Sequence, residues 1–149
     1  MGVADRLHEL RRLDSPQIVA EFEVALEGLP DDLDLQALDE LLTVFDDGTE
    51  SRETMFALLH RIERAPIELL VEAIVRALPS LIRTAPWWCR VFVIRILNNE
   101  RTRSILIDVE TKATVVEQRA LMDVLRDIQR STNPVGATAT QVLSTLGGR

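Results

Sequence analysis

Residues 54–99 read TMFALLHRIERAPIELLVEAIVRALPSLIRTAPWWCRVFVIRILNN, and the fold follows from this stretch. Between Pro66 and Leu78 the polar residues Glu68, Glu72 and Arg76 recur at four-residue spacing, which lines them along one edge of a helix. Ile67, Leu69, Leu70, Val71, Ile74, Val75 and Leu78 cover the remaining circumference, so this helix is expected to be buried on most sides. Between Pro86 and Leu97 only Arg90 and Arg95 interrupt an apolar run containing Trp87, Trp88, Cys89, Phe92 and Ile96, a second central element. Adjacent helical residues point about 100° apart, so Trp87 and Trp88 cannot share a face. One belongs to the core, and the other can rim a contact surface. Leu78-Pro79 is expected to end or kink the first of these helices, with a short further turn over 79–84.

Working outward, helix signals recur in both directions. Val3–Leu13 suits a short amphipathic helix, and Asp14-Ser15-Pro16 restarts the chain for a second helix to Glu27, stopped by Gly28 and Pro30. Leu35, Leu38, Leu41, Leu42 and Phe45 make an apolar stripe capped near Asp32 or Asp34, with Asp39 and Glu40 projecting outward. Asp46-Asp47-Gly48 is a turn, and with Glu50 it is expected to expose a cluster of carboxylates. Met55, Leu58, Leu59 and Ile62 mark a helix over about 51–64. Asn98-Asn99 closes the tryptophan helix before another at Glu100–Lys112, and Thr114-x-x-Glu117 is a capping box opening a helix over Val115–Arg130. After a break at Ser131-Thr132-Asn133-Pro134, a weak last helix spans Ala137–Leu146, with Gly147-Gly148-Arg149 frayed.

No period-two alternation occurs, so the expected fold is all-α: antiparallel pairs stacked as a compact HEAT-like bundle of about seven to eight helices. At 149 residues one domain is expected, with an acidic third (1–50), a core (51–130) and a weakly helical tail (131–149). Such a domain buries about 68–70% of its unfolded surface and needs no staple. The lone Cys89, inside an apolar run, reads as a core residue and permits no intrachain disulfide. There is no signal-peptide h-region and no uninterrupted apolar run long enough for a membrane span, so a cytoplasmic protein with no membrane partner is expected.

Charge is distributed unevenly. Of the formal net −7, residues 1–50 hold 14 acidic side chains against three arginines, −11, while residues 51–100 and 101–149 each hold five against seven, +2. An acidic surface repels nucleic acid and membrane headgroups and attracts cationic proteins. Solvated helix faces alone would produce the same composition. The carboxylates near Asp32 and Asp34 lack the glycine that a calcium loop requires, since position 37 is Ala37. A metal site at His60 and Glu63 would want a further ligand that no spacing singles out. Phosphate loops, nucleophile elbows and paired-cysteine motifs are missing, Tyr is absent, and Lys112 is the single lysine. We therefore expect no catalytic residues, no metal, no cofactor and no enzymatic activity. Arg90 and Arg95 are expected to pair with Glu63, Glu68 or Glu72.

TMFALLHRIE (54–63) followed by ALPSLIRTAPWWCRVFVIRILNNERTR (77–103) resembles the bacterial polymorphic-toxin immunity proteins of immunity family 30. The resemblance spans about Leu41 to Arg103 and rests on the His60, Pro86-Trp87 and Arg95-Ile96-Leu97-Asn98 neighbourhoods. It implies a small cytoplasmic protein that binds the C-terminal domain of a cognate toxin and blocks it without catalysis. A basic toxin domain would complement the acidic third. The candidate contact residues are Asp31, Asp32, Asp39, Asp46, Asp47 and Glu50, with Trp88 as an aromatic anchor. The alternatives are a HEAT-like adaptor with no toxin partner and a small enzyme gathering His60, Arg90, Arg95 and a carboxylate in a pocket.

Overall fold

Small polar side chains mark where helices begin. Ser15 accepts from the Ile18 N–H at 3.2 Å, Asp34 from Ala37 at 2.8 Å, Ser51 from Thr54 at 3.4 Å and Thr114 from Glu117 at 3.2 Å. Asn99 accepts from both Arg101 and Thr102, at 2.9 and 3.2 Å. Each bond satisfies a first-turn donor that has no partner inside its helix. At Thr114 the Glu117 carboxylate reaches back to the Thr114 N–H at 3.0 Å and completes the expected capping box.

The structure, a computed structural model, describes residues 2–131 and 134–147. Among them the fold is all-α, with no strand and nine helices: α1 (Val3–Leu10), α2 (Pro16–Glu27), α3 (Leu35–Leu42), α4 (Arg52–Ile62), α5 (Ile67–Thr84), α6 (Pro86–Leu97), α7 (Glu100–Lys112), α8 (Val115–Gln129) and α9 (Pro134–Gly147). No described helix is long and apolar enough to cross a membrane. Of the break expected at Ser131-Thr132-Asn133-Pro134, Thr132 and Asn133 lie outside the described residues, as do Gly148 and Arg149 of the fraying expected at Gly147-Gly148-Arg149; Gly147 is instead the last residue of α9. The chain forms two compact units, residues 1–70 and 71–149, the division falling inside α5.

In the first unit, α1 packs along α2, with α3 against α1 and α4 against α2. Leu7, Leu10, Leu13, Phe22, Leu38 and Leu58 are buried there. The turn from α1 to α2 passes through Leu13, whose φ of 50° is left-handed. A leucine pays about 1–2 kcal/mol for that conformation; here its side chain, 2% exposed, is carried into the core.

In the second unit, α7, α8 and α9 are each longer than any helix of the first. The polar edge of α5 emerges as read, with Arg76 exposed and Glu72 half-buried while Val71, Ala73, Ile74, Val75 and Leu78 are buried. Of the two outcomes expected at Pro79, an end or a kink, the end is excluded: α5 runs on to Thr84 with the proline inside it. Proline removes one helical hydrogen bond, a cost of about 3 kcal/mol. Leu78 on one side of it and Leu81 on the other are both buried, each contributing about 1.5–3 kcal/mol, and that burial continues the helix. α8 and α9 pack more closely than any other pair, and α6 contacts α7, α8 and α9. α9 starts at Pro134, three residues before the expected Ala137, because proline suits the first helical position. Cys89 is buried at 2% exposure, as read.

Candidate functional site

The first unit holds 17 acidic side chains against six basic ones, net −11, and twelve of the 17 belong to exposed residues. Local folding sorts the expected contact residues into distinct groups.

The segment between α2 and α3 presents Asp31 and Asp32 outward. Leu33 is 3% exposed and plugs the core from within this segment. The Arg61 guanidinium, reaching from α4, donates to the carbonyls of Leu29, at 3.4 Å, and Pro30. With the backbone held from both ends, the two aspartates face solvent. Asp31 has a side chain 94% exposed and meets Arg64 only at 3.9 Å, an exposed pair worth about 0–1 kcal/mol. Asp34 is engaged as the cap of α3.

The 46–50 turn is built differently, and the expectation of a wholly exposed carboxylate cluster is corrected. Asp46 accepts from the Gly48 N–H at 2.7 Å and from Arg11 Nε at 3.1 Å, with its side chain only 21% exposed. The Glu50 N–H donates to the Arg12 carbonyl at 2.8 Å, and Thr49 is buried. The turn is thus stitched to the end of α1. Asp46 and Asp47 are half-buried, and Glu50 is the exposed member of the group. Asp39 on α3 is also half-buried rather than fully outward, whereas Glu40 beside it is exposed.

Trp88 is a further correction. It is 0% exposed, a core residue of α6 rather than a surface anchor. Trp87 is the half-buried member of the pair, its ring edge-on to Trp88 at a centroid distance of 4.8 Å and an interplanar angle of 89°. The two tryptophans diverge as expected, and Trp88, expected as the surface anchor, is the one that faces inward. Arg90 is held by Asp127 of α8 at 2.5 Å and by Ser131 Oγ at 2.7 Å, in place of the expected Glu63, Glu68 or Glu72. Arg95 is exposed.

His60 is exposed, its ring 6.2 Å from that of Phe56 on the same helix. Among the described residues no group of three or more His, Cys, Asp or Glu side chains is placed to hold a metal ion. Sequence reading missed Arg61 and Arg11, the two side chains that shape the acidic segments. Arg61 lies on α4 and Arg11 just past the end of α1, with no local cue to bonds formed with residues about thirty positions distant.

The geometry therefore describes an all-helical protein whose first unit displays acidic residues on anchored backbone. The family model described as immunity protein 30 matches residues 9–106. The chain belongs to the immunity protein 30 family. The match is longer than the resemblance seen in residues 41–103, and it takes in most of the acidic third as well as the tryptophan helix. α8 and α9 lie beyond it. No curated protein and no solved structure matches the chain.

Proposed function

We propose that this chain is a cytoplasmic, non-enzymatic immunity protein that binds the C-terminal domain of a cognate bacterial toxin and neutralises it through the acidic surface of its first unit. The observation that carries the reading is the family match over residues 9–106, which includes the segment presenting Asp31 and Asp32. These two aspartates and Glu50, all exposed, form the contact. Asp39, Asp46 and Asp47, half-buried, add to the field more than to the contact area.

The partner is a toxin domain with a basic surface. A net charge of −11 on residues 1–70 favours such a partner through electrostatic steering, which raises association to about 10⁸–10⁹ M⁻¹s⁻¹ at low salt. An inhibitor of this sign competes directly for a surface that serves to bind a polyanionic substrate.

Co-expression with the C-terminal domain of a secreted toxin encoded next to this chain, identified from its gene neighbourhood, tests the proposal. Rescue of growth together with isolation of a stable one-to-one complex is the expected outcome. Absence of both rescue and complex would withdraw the toxin and leave a helical adaptor for another protein.

A further inference from the structure

Val24, Val115 and Val116 are the large apolar side chains most exposed among the described residues. Val115 and Val116 open α8, outside the family-matched region, and Val115 borders a hollow of mixed charge formed with Glu110, Arg119, Asp123 and Arg126. Opposite charges alternating around that hollow select no particular partner. Val24 sits differently: in the middle of α2, inside the matched region, and 68% exposed.

A β-branched residue at an exposed helical position is a poorer helix former than Ala, Glu or Lys, so helix stability does not account for it. Nor does the core, which α2 serves through Phe22 and, partly, Ile18 and Leu26. Val24 instead lines a shallow hollow of about 390 Å³ on the α1–α2 pair, together with Arg6, Gln17, Ala20, Glu21 and Ala25. Ala20, Val24 and Ala25 supply an apolar floor. Arg6 on its edge pairs with Glu9 at 3.4 Å and Glu21 at 3.6 Å. Glu23 and Glu27, both exposed on α2 beside Val24, add two further carboxylates. The charged lining of the hollow itself, Arg6 with Glu21, is neutral, and Glu9, Glu23 and Glu27 beyond its edge make the neighbourhood net negative.

We propose that this hollow, centred on Val24, is the apolar anchor point of the toxin contact, receiving an apolar side chain of the toxin domain that is flanked by Lys or Arg. The proposal rests on the immunity reading and goes beyond it by dividing the labour. The carboxylates steer and select a cationic partner, and the hollow supplies the slow dissociation. Affinity in protein interfaces is concentrated in a few apolar anchors seated in pockets, ringed by polar contacts that exclude water. A surface of charge alone would give a complex dominated by its association rate and readily dispersed by salt.

The two accounts predict opposite signs for Val24→Glu. This substitution adds an acidic charge and improves helix propensity while removing the apolar centre. If charge alone binds the toxin, affinity stays the same or rises. If the hollow is the anchor, affinity falls by at least about 30-fold through a faster off-rate, with Val24→Ala intermediate at about tenfold. The experiment measures Kd and off-rate of the full chain and these variants against the purified toxin C-terminal domain, with Val116→Glu as a control of equal exposure in the second unit. A loss confined to the Val24 variants, with unchanged melting temperatures, is the expected result. Equal or tighter binding by Val24→Glu, or an equal loss with Val116→Glu, overturns the hollow as anchor while the toxin reading stands. No complex with the unaltered chain withdraws the toxin reading and this site with it.

Discussion

Residues 1–70 and 71–149 solve the same packing problem with opposite surface chemistry. The first unit carries 17 acidic against six basic side chains, −11; the second carries seven against eleven, +4. In the first, α1 to α4 are 8, 12, 8 and 11 residues long, lengths at which an isolated helix is marginal. Its connections are fixed by arginines reaching across from other helices, Arg61 to Pro30 and Arg11 to Asp46. In the second, α6 to α9 run to 12, 13, 15 and 14 residues, and arginines again tie elements together, Arg90 to Asp127 and Ser131 and Arg103 to the Leu97 carbonyl. Self-repulsion among like charges destabilises a compact state. A unit that retains such an excess on short helices carries it at a thermodynamic disadvantage, which the cationic partner proposed above would offset on binding. On the proposed reading, the contrast separates residues that keep the chain folded from residues that meet the partner.

The strongest way to break that contrast is Trp88→Ala. Removing a fully buried indole costs about 3–5 kcal/mol, and we expect a large fall in the denaturation midpoint. A loss below about 1 kcal/mol would mean that α6 is not a core element.

Gly136→Ala is expected to be the next largest. A Cβ at Gly136 would lie 2.3 Å from the Ser131 carbonyl oxygen, a backbone atom that cannot step aside without moving the approach of α9 to α8. Overpacking of this kind costs about 1–3 kcal/mol, read as a lower melting temperature with toxin binding intact at temperatures where the variant is folded.

Asp46→Ala sharpens the contrast from the other side, since it is an acidic residue with a structural task. Losing its bonds to Arg11 and the Gly48 amide should lower stability by about 1–2 kcal/mol. Toxin affinity should change by less than about threefold, under 1 kcal/mol. A large affinity loss without destabilisation would move Asp46 into the contact.

Much of the fold was legible because helical periodicity is a local signal. The four-residue spacing of Glu68, Glu72 and Arg76, the capping box at Thr114 and the proline at position 16 each specify structure within a few residues. What was misread depends on distant neighbours. The 46–50 turn looks like exposed loop until Arg11, 35 positions earlier, is seen to bond Asp46. The direction of the tryptophan pair follows from what surrounds α6, and a local rule can say only that the two diverge. Pro79 reads as an end or a kink because the penalty of proline is local, whereas the burial of Leu81 that carries the helix past it is tertiary. Charge asymmetry was plain in the sequence. Which carboxylates stand clear of the body was not, since exposure of Asp31 and engagement of Asp46 are properties of the anchoring arginines.

The division between folding and recognition is tested most directly by the affinity of the toxin C-terminal domain for the unaltered chain and for the double variant Asp31→Lys, Asp32→Lys, each across a series of salt concentrations. Both substitutions fall on exposed residues, so the stability should stay within about 0.5 kcal/mol of the original. The account predicts that binding of the unaltered chain weakens steeply as salt rises, and that the double variant binds about 30-fold or more weakly at low salt with a shallower dependence. Equal affinities with equal salt dependence would contradict it and detach the acidic first unit from toxin recognition.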